Sequence, residues 1–400
     1  MRIDRYLKRT SPQPTTEVSH NTDLADVVAE VLSVKDVRRY LTNQESQDFH
    51  SLVRGQQFIV AALSDGAGAC ELSQFGARFF CQSATDFLSV HPEITRGELQ
   101  PEKLLTDLYL HLYDRAYELC NVLQLSPYDA RDTLLAASLE VTVMTPQLTL
   151  VASLSDGFLS TSQGTLSTSK ICERDPSLSR YNIVPSLAHA IVADSGTEAE
   201  IKKTVQETGV NSSIVEATVH ALHEEAKSFH ITYLGETSEF LKLTPAQSTD
   251  GLRFCAIVSH AERKVSFPLE ILRIMPINEA RDLLLLFNMT SILHDRRDEN
   301  TIISIRGIIA DLARTHFATR SEEVSSLLSL ASEQIDRLPP YTTQTSDQYG
   351  EFLHWLKVEI EEIITTTTAT VGHNISFPPR CAVAGITDDL TLIRFRKSQI

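Results

Sequence analysis

The chain lacks any pair of cysteines spaced C-x-x-C, and its six cysteines, Cys70, Cys81, Cys120, Cys172, Cys255 and Cys381, are scattered over 400 residues. This excludes a zinc knuckle, argues against a disulfide framework, and fits the reduced thiols of a cytoplasm. Nowhere is there an apolar run of about 18 residues, the length a membrane-crossing helix needs. The basic residues Arg2, Arg5, Lys8 and Arg9 are not followed by the apolar stretch of an export signal. The expectation is an unexported, soluble, cytoplasmic protein with no membrane partner. Cations are also scarce: 36 Lys and Arg stand against 52 Asp and Glu, a formal charge of −16. A broad basic surface for nucleic-acid phosphates is therefore not expected. The motifs GxGxxG, P-loop, HExxH and GxSxG are missing too, which removes support for a dinucleotide enzyme, a P-loop kinase, a zincin or an esterase. No internal repeat of 20–50 residues is found, so a solenoid is not indicated.

What is present is enough apolar residue, 42% of the chain, to bury a sizeable core. Residues 10–23 are polar with two prolines, so residues 1–40 read as a polar leader, with a short helix over Leu24–Leu32. Residues 41–400 read as the folded domain. The run QFIVAAL, residues 57–63, is short and apolar and ends in Ser64-Asp65-Gly66, the pattern of a buried strand delivered into a turn. Leu72, Phe75, Phe79 and Phe80, then Leu104, Leu108 and Leu112, fall near helical spacing and predict two amphipathic helices. Leu148, Leu150, Ala152 and Leu154 alternate as in a half-buried strand, which again ends in Ser155-Asp156-Gly157. A helical insertion is expected near 165–230. Strands are expected over ITYLGETSEFLKL, LRFCAIVS, CAVAGI and LTLIRFR, with helices near 277–290, 301–315, 321–337 and 347–364 inside a helical region 277–364. Strands at both ends with helices between predict an α+β domain whose chain ends meet in one sheet.

Hard divalent cations such as Mg or Mn take oxygen ligands, which carboxylates at strand ends supply. Asp48, Asp65, Asp156, Asp388 and Asp389 are such carboxylates. Each Asp-Gly taken singly is also ordinary tight-turn chemistry, and that reading stays open.

The segment QESQDFHSLVRGQQFIVAALSDGAGACELSQFGARFF resembles the opening of bacterial protein phosphatase 2C-like domains, in which a Gln-Asp precedes a strand and an Asp-Gly-x-Gly-Ser turn; here Ala69 replaces the Ser. DTLLAASLEVTVMTPQLTLVASLSDGFLSTSQG resembles the family's Thr-Thr-Leu region and Gly-Asp-Gly turn, with Ser155 at the first Gly. YLGETSEFLKL resembles the Asn-Glu-Thr-x-Phe-Leu segment, with Gly235 for Asn, and ITDDLTLIRFRK the closing Asp-Asp-x-Thr-Leu strand. The resemblance implies a central antiparallel β-sandwich flanked by helices, with two Mn2+ or Mg2+ ions, and a third weaker one, at one edge. It implies catalytic and metal roles for Asp48 and Asp65, metal contacts from Gly66 and Asp388, and a weaker metal at Asp156. It also implies attack of a metal-bridging water on phosphoserine or phosphothreonine of a phosphoprotein substrate, in signalling alongside a cognate Ser/Thr kinase.

One position departs from the pattern. Where the family has a strand ending in Ser/Thr-Asp-Gly, this chain has Ser259-His260-Ala261, so His260 stands at a metal position normally held by a carboxylate. A neutral imidazole ligates Mn but brings no negative charge, which weakens Mg affinity. The alternative to an enzyme is therefore a degenerate pseudophosphatase that binds phosphoproteins or regulatory partners. Asp250-Gly251 precedes the strand and reads as a hairpin turn. His220, His223 and His230 lack a third ligand at metal spacing and read as packing or surface residues. Arg54 and Arg78 are within sequence reach of a phosphate-binding role. Oligomeric state is not encoded in any pattern found.

Overall fold

The computed structural model describes residues 24–35, 39, 44–68, 70, 72–96, 99–125, 129–130, 133–154, 158–161, 164–167, 229–242, 255–258, 271, 275–295, 298–315, 320–370 and 389–397. Among the described residues, two five-stranded antiparallel sheets stack on one another. One runs in the order β2 (Asp48–Arg54), β3 (Ile59–Asp65), β4 (Leu139–Met144), β5 (Leu148–Leu154), β8 (His230–Glu236). The other runs β1 (Val27–Val34), β10 (Leu390–Lys397), β9 (Cys255–Val258), β6 (Phe158–Thr161), β7 (Gly164–Ser167). This is the expected helix-flanked sandwich, and the strand nearest the start of the described chain does pair with the last one.

The pleat explains the strand sequences. β3 is apolar without a break because both its faces are covered. Ile59, Ala61 and Leu63 turn toward the second sheet and pack with Met144, Val151, Ile393 and Phe395. Val60 and Ala62 turn the other way, onto α1 (Ser73–Val90) and α3 (Pro101–Leu123), where Phe80, Leu88, Leu108 and Leu112 are buried. A short helix α2 (Pro92–Arg96) joins them. Each such aliphatic or aromatic side chain contributes about 1.5–3 kcal/mol when fully buried.

On the outer face of the second sheet, Leu32, Val34, Leu390 and Leu392 pack under α5 (Ile277–Asp295), α6 (Glu299–Arg314), α7 (Glu322–Arg337) and α8 (Ser346–Thr370). Their starts follow capping chemistry: Asp298 accepts from the Thr301 N–H at 2.9 Å ahead of α6, and Ser321 accepts from the Val324 N–H ahead of α7. The buried Asp282 of α5 pairs with Arg281 at 2.8 Å and with Arg320 at 2.5 Å, tying α5 to the segment ahead of α7.

Three expectations are corrected. Residues Val27–Val34 form strand β1, not part of a helix over Leu24–Leu32, so the leader is not separate from the domain as far as residue 40. Val27, Ala29 and Val31 face inward while Leu32 and Val34 face the helices, so both faces are apolar and the alternation of two is hidden. Asp48 opens a strand of its own, β2, ahead of the one expected to be first. ITYLGETSEFLKL is not one strand: β8 ends at Glu236, and Thr237–Lys242 turns into a helix, α4, with Phe240 buried between the sheets. The helical insertion expected near 165–230 and the strand over CAVAGI fall almost wholly outside the described residues.

Candidate metal centre at the sandwich edge

Asp48 begins β2 and Asp65 ends β3, and the antiparallel register sets them directly opposite one another. Residues so paired lie on the same face of a sheet, with Cβ atoms about 4.5–5.5 Å apart. That face is the one Leu63 turns toward the second sheet, and each aspartate is only 6% exposed. Like charges directly opposite in a sheet are destabilising unless a cation is near.

The turn after Asp65 is pinned by the chain around it. The Asp65 N–H donates to Ser138 Oγ at 3.1 Å and its carbonyl accepts from the Ser138 N–H at 2.8 Å. Gly66 donates to the Gln47 carbonyl at 3.1 Å. A Cβ on Gly66 would lie 2.6 Å from the Ser73 carbonyl oxygen, so the close approach of the α1 start demands glycine there.

From the second sheet comes Asp389, the residue before β10, at 1% exposure. Its Oδ2 accepts from the Gln47 N–H at 2.5 Å and lies 3.1 Å from Arg39 Nε. The closing strand is thereby fastened one residue from Asp48. Two residues on, Thr391 Oγ1 is hydrogen-bonded to Ser33 Oγ at 3.1 Å, joining β10 to β1. The sequence pattern offers Asp389 as one of several strand-end carboxylates, but its bonds to Gln47 and Arg39 are not legible there. Glu140, fully buried on β4 opposite Leu63, shares the face of Asp48 and Asp65 and was also missed. Its signal was a carboxylate among the apolar residues of LEVTVM.

The electrostatics are set by burial. Burial holds the His50 imidazole down to about 4, so it is neutral at ordinary pH. Burial also lowers Lys35, against the pull of Asp389 and Glu45. Cys81, under β2, is driven well above the usual thiol range by burial, with Glu140 and Asp48 adding to the shift; it is an inert thiol.

Of the residues read from the sequence as metal contacts, the structure brings Asp48, Asp65 and Gly66 together. Asp156, His260 and Asp388 lie outside the described residues, as do His220, His223 and the Asp250-Gly251 turn. Among the described residues, no group of three or more His, Cys, Asp or Glu side chains is close enough to hold a metal ion. The facing carboxylates are nevertheless hard oxygen donors of the kind Mn2+ and Mg2+ take. Arg54 donates to the carbonyls of Leu24 and Val27, at the far end of β2, and Arg78 lies 5.0 Å over the Phe49 ring. His230 opens the edge strand β8 opposite Ser153. Among the described residues no helix is long and apolar enough to cross a membrane.

Comparison with known proteins gives the following. Residues 38–180 match the family Protein phosphatase 2C. No curated protein sequence matches the chain. The serine/threonine phosphatase Stp1 from Staphylococcus aureus aligns at 9% identity over 93% of this chain and 95% of its own, with a TM-score of 0.35. The Mycobacterium tuberculosis serine/threonine phosphatase PstP/Ppp aligns at 9% identity, 93% and 99% coverage and a TM-score of 0.34. A PstP catalytic domain in complex with two manganese ions aligns at 9% identity, 93% and 99% coverage and a TM-score of 0.30.

Proposed function

We propose, from the premise that residues 38–180 belong to the protein phosphatase 2C family, that the chain is a metal-dependent serine/threonine protein phosphatase. The observation that carries this reading is the facing pair Asp48 and Asp65 at the sandwich edge, with Asp389 fastened beside them from the second sheet.

Asp48, Asp65 and the Gly66 carbonyl would hold the cations, with Asp156, His260 and Asp388 completing the ligand set. A divalent cation held there supplies Lewis-acid activation of water and neutralises charge on the phosphate oxygens. The protein's part is to keep the carboxylates ionised, oriented and close. β2 and β3 fix Asp48 and Asp65 through the ladder, and Ser138 and Gln47 hold the turn between Asp65 and Gly66. His50, neutral through burial, adds no positive charge to compete with a cation. The substrate is a phosphoserine or phosphothreonine protein in the cytoplasm, supplied by a Ser/Thr kinase. His260 in a carboxylate's place shifts the preference from Mg2+ toward Mn2+.

The test is hydrolysis of p-nitrophenyl phosphate and a phosphothreonine peptide with Mn2+, Mg2+ or EDTA, with Asp65→Asn as control. Metal-dependent turnover that Asp65→Asn abolishes supports the reading, and His260→Asp should then raise activity with Mg2+. Folded protein without turnover in any metal would sink it and leave a phosphoprotein-binding module.

A further inference from the structure

Gln47 is buried at the meeting point of four segments, and each of its polar groups is used. Its N–H donates to Asp389 Oδ2 at 2.5 Å, and its carbonyl accepts from the Gly66 N–H at 3.1 Å. Its Nε2 donates to Ser73 Oγ at 2.8 Å and to the Cys70 carbonyl at 3.3 Å, both at the start of α1. Its Oε1 accepts from Arg39, whose guanidinium also pairs with Asp389. The segment before β2, the first Asp-Gly turn, the first turn of α1 and the closing strand therefore meet on one amide side chain and its backbone.

We propose that Gln47 is a positioning residue for the metal centre. Resting on the phosphatase reading above, its role is to hold Asp48, Asp65 and the closing strand in a ready-made arrangement before a cation arrives. The physical case is geometric. Asp48 follows Gln47 directly, so any shift of the Gln47 peptide moves the Asp48 carboxylate. Gly66 follows Asp65 directly, so the same peptide also sets the Asp65 turn. The side-chain bonds to Ser73, Cys70 and Arg39 fix that peptide against rigid elements. Without them, the half-buried Arg39 and the buried Ser73 each lose a partner and the peptide is anchored only by its own backbone. Groups that orient metal ligands without touching the metal typically account for 10- to 100-fold in affinity.

The experiment is Mn2+ binding by isothermal titration calorimetry to the full chain, at a temperature well below its melting point. The wild type, Gln47→Ala and Ser73→Ala are compared. Ser73→Ala removes one anchor of Gln47 without touching a carboxylate, and it covers the case in which Gln47→Ala does not fold. The expected result is a Kd for Mn2+ raised about tenfold or more in Gln47→Ala, and in the same direction by several-fold in Ser73→Ala. In activity assays the metal concentration for half-activation should rise, with the KM for the peptide unchanged. Variants that lower the melting temperature but bind Mn2+ like the wild type would make Gln47 merely structural and overturn the proposal. A wild-type chain that binds no Mn2+ overturns the phosphatase reading and this one with it.

Discussion

Asp48 and Asp65 stand directly opposite each other on neighbouring antiparallel strands, both almost fully buried on the face turned toward the second sheet. Two carboxylates so placed oppose folding when no cation is bound and favour it when one is. Asp48→Asn is therefore expected to stabilise the protein in EDTA by about 0.5–1 kcal/mol. The same change should remove most of the stabilisation that Mn2+ gives the wild type. Melting curves with and without Mn2+ check this, and a loss of stability in EDTA would contradict it.

Gly66→Ala should damage the same site from the other side. The new Cβ would lie 2.6 Å from the Ser73 carbonyl, a backbone atom that cannot yield without moving α1. The expected cost is about 1–3 kcal/mol by analogy with overpacked interiors. Chemical denaturation measures it, and turnover should fall further than stability alone accounts for.

Glu30 and the fully buried Arg394 give the pH dependence. Burial alone would raise the Glu30 carboxyl, but Arg394 and Arg396 outweigh it and hold it below its ordinary value of 4.5. A lowered folded-state value means that the unfolded chain binds more protons on acidification. The contribution of Glu30 is thus present above about pH 4.5 and is lost as pH falls through the folded value. Glu30→Gln should flatten that part of the stability profile between pH 3 and 6. It should also cost roughly 3–5 kcal/mol at neutral pH, because Arg394 is left buried with its charge uncompensated. Urea titrations across the range decide both points.

Asp282 offers the contrasting case, a buried carboxylate outside the candidate centre. Asp282→Ala leaves Arg281 and the buried Arg320 without their shared partner and should cost about 3 kcal/mol or more. Because the pair joins α5 to the segment ahead of α7, kcat/KM measured below the melting temperature should stay close to that of the wild type. A large fall in kcat/KM would show that the helical layer is coupled to the site.

How much of this was legible in the sequence depended on how local the cause was. Asp65 and Gly66 could be read because an apolar run ends on them, and the four helices from residue 277 on could be read from their periodicity. β1 could not, since apolar cover on both faces removes the alternation that marks a strand. β2 was overlooked because six of its seven residues, from Phe49 on, are only partly buried, leaving no strong apolar run. Thr237–Lys242 reads as a strand continuing β8, yet it turns into a helix that places Phe240 in the core. Gln47 was legible only as part of a family motif. Its meaning lies in partners 8 to 342 residues away, which no spacing rule reaches.

The pairing of β1 with β10 has a consequence for the order of events during synthesis. The two strands are fully in register from Val27 with Lys397 to Val34 with Leu390, so β1 waits for almost the whole described chain before it has a neighbour. Contacts at such separation are slow to form and leave a sticky edge exposed meanwhile. The first sheet and its two long helices can assemble on a nascent chain, but Asp389 arrives only with the closing strand. A ribosome-bound chain stalled before that point would carry Asp48 and Asp65 without their neighbour from the second sheet. The arrival of the closing strand thus gives β1 its neighbour and brings Asp389 to the candidate centre in one step.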